Sequence, residues 1–151
     1  MQVSPALAAE LIATAHELAD VARIATLSHF RTRSLVAENK ETDRFDPVTA
    51  ADRLSEERMR EVLARRRPQD GILGEEYGST AGSSGLTWVL DPIDGTRSYL
   101  AGTPTWGVLI SVRDAERVLY GIIDQPYIGE RFEGGLGRAL VKGPMGEAQL
   151  G

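Results

Sequence analysis

The sequence contains no cysteine among its 151 residues. Disulfide bonds, thiolate nucleophiles and zinc–thiolate sites are therefore excluded, and we expect a protein of a reducing compartment, the cytoplasm. Only two histidines occur, His16 and His29, and both fall in a helical pattern near the N-terminus. We interpret both as ordinary helix residues, because two histidines leave little basis for a histidine-rich metal centre.

Long apolar runs and an excess of basic charge are also missing. No run approaches the ~20 residues of a membrane span, and the N-terminus lacks the basic segment of a signal peptide. The 17 basic and 22 acidic residues give a formal net charge of −5. We therefore expect neither a membrane nor a nucleic acid as partner. A phosphorylated substrate remains compatible, because a bound cation reverses the local sign of charge.

The order of patterns predicts one α+β domain, with two N-terminal helices packed on a largely antiparallel sheet. Ser4-Pro5 is a typical helix start, and a three-to-four apolar spacing follows to about Ser28. A polar loop is predicted from Asn39 to Pro47, and a second helix from about Thr49 to the proline in "RRRPQDG". The predicted face of that helix comprises Leu54, Arg58, Met59, Val62 and Leu63. The segment "GSTAGSSG" is a predicted loop. The predicted strands are "GILG", "LTWVL", "TWGVLISV", "RVLYGIID", "GERFEG", "GRALVK" and a last strand entered through "GPMGEAQLG".

The stretch "WVLDPIDGT" places two carboxylates, Asp91 and Asp94, at the end of a short apolar run. The Ile93 carbonyl, between a proline and a strand end, is available as a third oxygen donor, and Gly95 permits close backbone approach. Thr96 is in position to cap a helix whose first N–H groups bind an anion. Such hard oxygen donors suit Mg²⁺. Considered by itself the stretch favours a turn, because Asp-Pro and Asp-Gly are common turn dipeptides.

Two other segments carry acids in comparable positions. "GILGEEYG" places Glu75 and Glu76 at a strand end, where paired glutamates are usually a solvated face. "DPVTAADR" places Thr49 and Asp52 at the start of the second helix, which is also the pattern of helix capping. If the three segments converge, carboxylates about 5 Å apart repel by roughly 3 kcal/mol per pair at an effective dielectric near 20. Such a cluster requires bound cations or protons, and two or more Mg²⁺ ions would suit phosphoryl transfer to water.

Together, "DPVTAADR", "GEE" and "WVLDPIDGT" resemble the inositol monophosphatase-like phosphatases, which are Mg²⁺-dependent and lithium-sensitive. The resemblance covers essentially the whole chain in the family's order. It implies that Glu75, Asp91, Asp94 and the Ile93 carbonyl are metal ligands. Glu75 and Asp91 would hold the ion that activates the water, and Asp94 would bridge toward a second ion together with Asp91.

The resemblance also assigns the other roles. Asp52 and Thr96 match the pair that takes the water's proton, and the backbone N–H groups of Gly95 and Thr96 would hold the phosphate. Lys40 matches a basic residue near a third metal. Glu76 and Thr49 are further candidates beside the matched positions.

A narrower resemblance concerns the substrate. "DPIDGTRSYLAGTPTWGVLISV" and "GIIDQPYIGERF" resemble the histidinol-phosphatase branch more than the inositol branch. The distinguishing residues are Arg97, Trp106 and the sequence "IDQP" followed by "GER". Trp106 is either an aromatic wall for an imidazole ring or a core residue. The branch implies hydrolysis of histidinol phosphate to histidinol and phosphate, in histidine biosynthesis.

Family members are considerably longer, and their second half carries a W-D-x-A motif that nothing in this sequence matches. We therefore expect residues 1–151 to be the N-terminal metal-binding catalytic domain of such a fold, without the C-terminal domain. Three hypotheses follow. The first is a histidinol-phosphatase, and the second is a phosphatase that acts instead on inositol monophosphate, a sugar bisphosphate or a 3′-phosphonucleotide. The third is a non-catalytic Mg²⁺-binding fragment that self-associates. The resemblance also implies a homodimer.

Overall fold

The computed structural model describes residues 1–33, 37–39 and 47–151. Lys40, one of the predicted site residues, lies outside these residues. The elements in chain order are α1 Pro5–His29, β1 Glu38–Asn39, β2 Pro47–Val48, α2 Ala50–Arg66, β3 Gly71–Gly74, β4 Gly78–Thr80, β5 Thr87–Asp94, α3 Thr96–Ala101, β6 Gly107–Arg113, β7 Val118–Gln125, β8 Glu130–Gly135, β9 Arg138–Gly143 and β10 Gly146–Gln149. No helix in the described part of the chain is long and apolar enough to cross a membrane.

The first helix begins where the sequence predicts. Ser4 is its N-cap, with the Ser4 hydroxyl accepting the Leu7 N–H at 3.1 Å, and proline follows at the first helical position. The predicted apolar spacing matches the buried face, which comprises Leu11, Thr14, Ala15, Leu18, Ala19, Ala22, Ala25 and Thr26. The helix ends at His29, one residue beyond the predicted end.

The second helix carries a capping box formed by Thr49 and Asp52, as the sequence predicts. Its buried face includes Met59, Val62 and Leu63 from the predicted set. The inclusion of Arg58 was wrong, because Arg58 lies on the surface and pairs with Glu61 three residues later. Glu56 is buried on that face instead, since positions 56, 59 and 63 fall on one side of a helix with 3.6 residues per turn.

Eight strands form one sheet in the order β10-β9-β8-β7-β6-β5-β3-β4. Only the β3–β5 pair is parallel, so the predicted largely antiparallel sheet is confirmed. Helix α1 packs on β6 and β7, and α2 packs on β5. The core between the helices and this face of the sheet includes Trp88, Leu90 and Ile110.

Two predicted loops are partly strand. Residues 78–80 of "GSTAGSSG" form β4, which follows a turn at residues 75–77 and pairs with β3. Gly78, the first residue of β4, has a positive φ of +72°. All three residues of β4 are exposed, so the strand carries no apolar alternation that a sequence pattern would show. The other predicted loop runs from Asn39 to Pro47. Its two end residues, Asn39 and Pro47, pair with each other in the β1–β2 ladder.

Candidate active site

Strand β5 is irregular where its two aspartates lie. Its ladder with β6 shifts register between Asp91 and Asp94, and Pro92 and Ile93 are buried side by side there. Such an irregularity bends the strand and breaks the regular alternation of side chains. The strand also continues to Asp94, which pairs with Gly107, so the turn begins only after Asp94.

Gly95 makes the turn from β5 into helix α3. Its backbone is left-handed, with φ 86° and ψ 43°, and a Cβ at this position would lie 2.9 Å from the Thr105 carbonyl oxygen. Only glycine meets both demands without strain. Gly95 is the N-cap of α3 and Thr96 its first residue, so the prediction of Thr96 as the cap was wrong.

The Thr96 hydroxyl instead connects two other candidate residues. It lies 3.0 Å from Asp52 Oδ1 and 3.2 Å from the Ile93 carbonyl oxygen. A hydroxyl has one hydrogen, so it donates to one of these acceptors at a time and keeps its own lone pairs for another donor. The predicted pairing of Asp52 with Thr96 is therefore present as a direct contact across helices α2 and α3.

Asp52 is both a helix cap and a member of this cluster. Its Oδ2 accepts the Thr49 N–H at 2.9 Å and the Thr49 hydroxyl at 2.6 Å, while Oδ1 faces Thr96. The side chain is buried, and this burial raises the pKa of Asp52 although the hydrogen bonds from Thr49 and Thr96 oppose the rise. The two oxygens of this carboxylate thus make separate contacts, Oδ2 with the helix cap and Oδ1 with Thr96.

Four acidic side chains act on the carboxylate of Asp91. Burial is the main cause that raises its pKa from 3.8 to about 7. The further causes are the charges of Asp94, Glu75, Asp52 and Glu76, in falling order of effect. The turn that carries the two glutamates is held against β5, because the Glu75 N–H donates to the Leu90 carbonyl at 3.1 Å. The three predicted segments therefore converge on Asp91.

The donor set fits a hard divalent cation. It comprises carboxylates and a backbone carbonyl, and a cation there would offset the repulsion that helps to raise the pKa of Asp91. Within residues 1–33, 37–39 and 47–151, no three acidic or histidine side chains lie close enough together to enclose a metal ion. Glu75 and Asp94 are exposed at the surface beside the half-buried Asp91.

The two residues that point to a substrate branch lie in different surroundings. Arg97 is exposed on α3. Trp106 is 5% exposed and packs in an aromatic cluster, with its ring centroid 5.3 Å from Phe30 and 4.9 Å from Tyr99. The Trp106 Nε1 is buried without a hydrogen-bond partner. Of the two predicted alternatives for Trp106, the structure shows the core residue.

Comparison with known proteins gives the family. A model of the inositol monophosphatase family matches residues 7–146. The chain belongs to the inositol monophosphatase family. The resemblance carried by the three sequence motifs is therefore confirmed.

Among curated family members, two histidinol-phosphatases are similar to this chain. The protein from Streptomyces coelicolor is 41% identical over 122 residues, which cover 78% of this chain and 45% of the relative. The protein from Chlorobaculum parvum is 40% identical over 117 residues, covering 78% and 44%. The chain thus spans about half the length of the curated relatives it matches.

Solved structures of the family share the fold. An inositol monophosphatase from Zymomonas mobilis matches with a TM-score of 0.68 and 41% identity, covering 84% of this chain and 47% of that one. The extragenic suppressor protein suhB from Bartonella henselae matches with a TM-score of 0.79 and 25% identity, covering 89% and 52%. The predicted fold class is therefore confirmed.

Sequence patterns missed Glu56, a buried carboxylate four residues after Asp52 on α2. Its oxygens accept the backbone N–H groups of Glu76 and Tyr77, next to the predicted ligand Glu75. The available signal was an acidic residue on an otherwise buried helix face. The predicted face of α2 included Arg58 and not Glu56.

Proposed function

We propose that this chain forms the metal-binding part of an Mg²⁺-dependent phosphatase that hydrolyses histidinol phosphate to histidinol and phosphate. The convergence of Asp52, Glu75, Glu76 and Asp94 on Asp91 is the observation that carries the proposed chemistry. The choice of substrate is supported by the two similar histidinol-phosphatases and by the motif around Arg97. Because the chain spans about half of each relative, it would correspond to the family's N-terminal domain.

The proposed metal ligands are the carboxylates of Glu75, Asp91 and Asp94 and the carbonyl of Ile93, for two or more ions. Bound Mg²⁺ supplies charge that polarises the phosphoryl group and lowers the pKa of a water molecule. In the metal-free chain, burial and the charges of the neighbouring acids both raise the pKa of Asp91 and so favour a proton on its carboxylate.

Asp52 and Thr96 would orient and deprotonate the attacking water. When the Thr96 hydroxyl donates to Asp52 Oδ1, its lone pairs are left to accept a hydrogen bond from water. The water's proton then passes toward Asp52 through the threonine oxygen. Burial raises the pKa of Asp52, which makes this carboxylate a better proton acceptor than an exposed aspartate.

The phosphate would lie at the start of α3, beside the backbone N–H groups of Gly95 and Thr96 and the Arg97 side chain. Gly95 adds no side chain to this corner, and its left-handed backbone is one that glycine adopts without strain. Arg97 contributes positive charge of the kind that favours phosphate. Glu76 and Thr49 support the site from the adjoining turn and helix, and Trp106 supports it from the core.

The test is phosphate release with Mg²⁺ from a panel of histidinol phosphate, inositol monophosphate, a sugar bisphosphate and a 3′-phosphonucleotide. The panel is run on this chain and on any longer protein that contains it. We expect histidinol phosphate to be hydrolysed fastest, and Asp94→Asn to abolish release while Glu147→Gln, on the exposed strand β10, leaves it unchanged. Equal or faster hydrolysis of inositol monophosphate contradicts the proposed substrate.

A second candidate keeps the chemistry and changes the substrate to inositol monophosphate. The inositol monophosphatase from Zymomonas mobilis is as similar to this chain, at 41% identity, as the histidinol-phosphatases are. Overall identity therefore does not separate the two substrates, and the panel above decides between them.

A third candidate is an Mg²⁺-binding chain without turnover that self-associates. The sheet face opposite the helices exposes Leu73, Ile123 and Phe132, whose side chains are 48%, 56% and 38% accessible. Apolar surface of this kind favours association. We expect sedimentation equilibrium to show a dimer that Ile123→Lys weakens, whereas a monomer at all concentrations contradicts this candidate.

Lithium inhibition, a homodimer and a cytoplasmic location stay predictions from the resemblance.

A further inference from the structure

Glu56 lies on α2, and its carboxylate is fully buried at 0% exposure. Its two oxygens receive two consecutive backbone amides of the turn between β3 and β4. Oε1 accepts the Glu76 N–H at 2.8 Å, and Oε2 accepts the Tyr77 N–H at 2.9 Å. A carboxylate is suited to this task because both of its oxygens accept hydrogen bonds.

Arg60, one turn further along α2, completes the contact. Its Nε donates to Glu56 Oε2 at 3.0 Å, which compensates the buried negative charge. Its two terminal nitrogens continue past the turn, donating to the Gly78 carbonyl at 2.5 Å and to the Thr80 hydroxyl at 3.1 Å. Helix α2 is thereby bonded to the turn and to β4.

Gly74, the last residue of β3, makes this approach sterically feasible. A Cβ at position 74 would lie 2.4 Å from Glu56 Oε2 and 2.6 Å from Oε1. Both distances are shorter than real Cβ contacts, so any side chain there displaces the carboxylate. A glycine directly before Glu75 is therefore a requirement of the Glu56 contact.

The turn is held from its other side as well. The Glu75 N–H donates to the Leu90 carbonyl of β5 at 3.1 Å, one residue before Asp91. The backbone on both sides of the Glu75 Cα is therefore fixed. The N–H of Glu75 is bonded to β5, and the N–H of Glu76 is bonded to Glu56. With both flanking amides fixed, the direction in which the Glu75 side chain leaves the backbone is fixed too.

We propose that Glu56 is a positioning residue that, through the backbone of Glu76 and Tyr77, holds the Glu75 carboxylate where it faces Asp91. This inference rests on the proposed function, in which Glu75 is a metal ligand, and adds a residue that acts through that ligand. Groups that orient metal ligands from behind typically affect metal affinity by about 10- to 100-fold. The same helix also carries Asp52, so one element sets the position of two parts of the site.

The test uses two variants that break the contact from opposite sides. Glu56→Gln replaces one acceptor oxygen by an NH₂ group that faces a backbone N–H, and Gly74→Ala keeps the charge but displaces the carboxylate. The matched control is Asp70→Asn, which alters a buried carboxylate at the other end of β3, bonded to Arg67, Ser84 and Trp88. Circular dichroism first establishes that every variant is folded. Amide hydrogen exchange of residues 76 and 77 is then measured by NMR without metal, and Mg²⁺ affinity is measured by calorimetry.

We expect both Glu56→Gln and Gly74→Ala to speed exchange of the two amides at least tenfold and to weaken Mg²⁺ binding about 10- to 100-fold. Asp70→Asn should change neither, whatever stability it loses. Unchanged exchange, or faster exchange with unchanged Mg²⁺ affinity, overturns the positioning role while leaving the proposed function intact. If the wild-type chain takes up no Mg²⁺, the proposed function loses its metal site, and the exchange measurement alone decides whether Glu56 fixes the turn.

Discussion

Asp91 has the least favourable electrostatic position among the carboxylates of the site. It is half-buried, and this burial, together with the charges of four other acids, raises its pKa from 3.8 to about 7. In the unfolded chain it ionises near 3.8, so the folded state holds more protons between these two values. Stability of the metal-free chain is therefore lost as pH rises through this window, since the carboxylate must ionise against its neighbours.

We predict that Asp91→Asn stabilises the metal-free chain at pH 8 by about 2 kcal/mol, because the amide cannot ionise. Raising the pKa from 3.8 to about 7 corresponds to about 4 kcal/mol of folding free energy. We expect about half of this free energy, because solvent partly screens the carboxylate. Urea unfolding at pH 5 and pH 8 without divalent ions checks this, with Glu147→Gln as control. A substitution that destabilises the chain more at pH 8 than at pH 5 would contradict the assigned repulsion.

At this scale the sequence revealed which side chains meet but not how they are held. The motif residues Glu75, Asp91 and Asp94 carry a recognisable spacing, and their convergence was predicted. The resemblance implied the pairing of Asp52 with Thr96, but not which oxygen atoms join them. That detail and the register shift in β5 were not readable, because they depend on how α3 and β6 pack. Glu56 was missed for the same reason, since its partners are backbone amides twenty residues away.

At the scale of elements, α1 is fastened to the sheet by a buried carboxylate on β7. Asp124 is fully buried, and its Oδ1 accepts from Arg23 of α1 at 2.6 Å and from Arg131 of β8 at 2.9 Å. Arg131 also reaches Asp20 of α1 at 2.9 Å. Two strands and the helix are thus joined through one set of charges.

We predict that Asp124→Ala costs about 3–5 kcal/mol of unfolding free energy, because it leaves two guanidinium groups without their buried partner. Glu61→Ala, which breaks the exposed pair with Arg58, should cost no more than about 0.5 kcal/mol. Urea unfolding at pH 7 measures both. Similar losses of unfolding free energy for the two variants would show that the buried ion pairs of Asp124 do not stabilise the packing of α1 on the sheet.

Helices were the more predictable elements. The Ser4 and Thr49 caps and the apolar spacing of α1 are local signals, and both helices begin where they predict. Strand β4 was not predictable from its own exposed residues, because it forms by pairing with β3. The Asp124 network was equally hidden, since its charges are distant in sequence and none departs from an ordinary surface pattern.

At the scale of the whole molecule, the sheet presents two different faces. Helices α1 and α2 cover one face. The other carries a row of residues across the four neighbouring strands β5 to β8, namely Asp91, Leu109, Ile123 and Phe132. A predicted ligand therefore lies at the margin of an exposed apolar surface. The proposed site draws its residues from α2, from the turn after β3 and from β5.

The central claim is that the acids around Asp91 form a cation site, and calorimetric titration of the chain with Mg²⁺ at pH 7 tests it most directly. We predict binding that releases about half a proton, because Asp91 has a pKa of about 7 and a bound cation drives off the remaining proton. Repeating the titration in buffers of different ionisation enthalpy measures that release. Asp94→Asn should weaken binding at least tenfold, and Glu147→Gln should not change it. Binding that is unaffected by Asp94→Asn, or the absence of any Mg²⁺ binding, would contradict the claim.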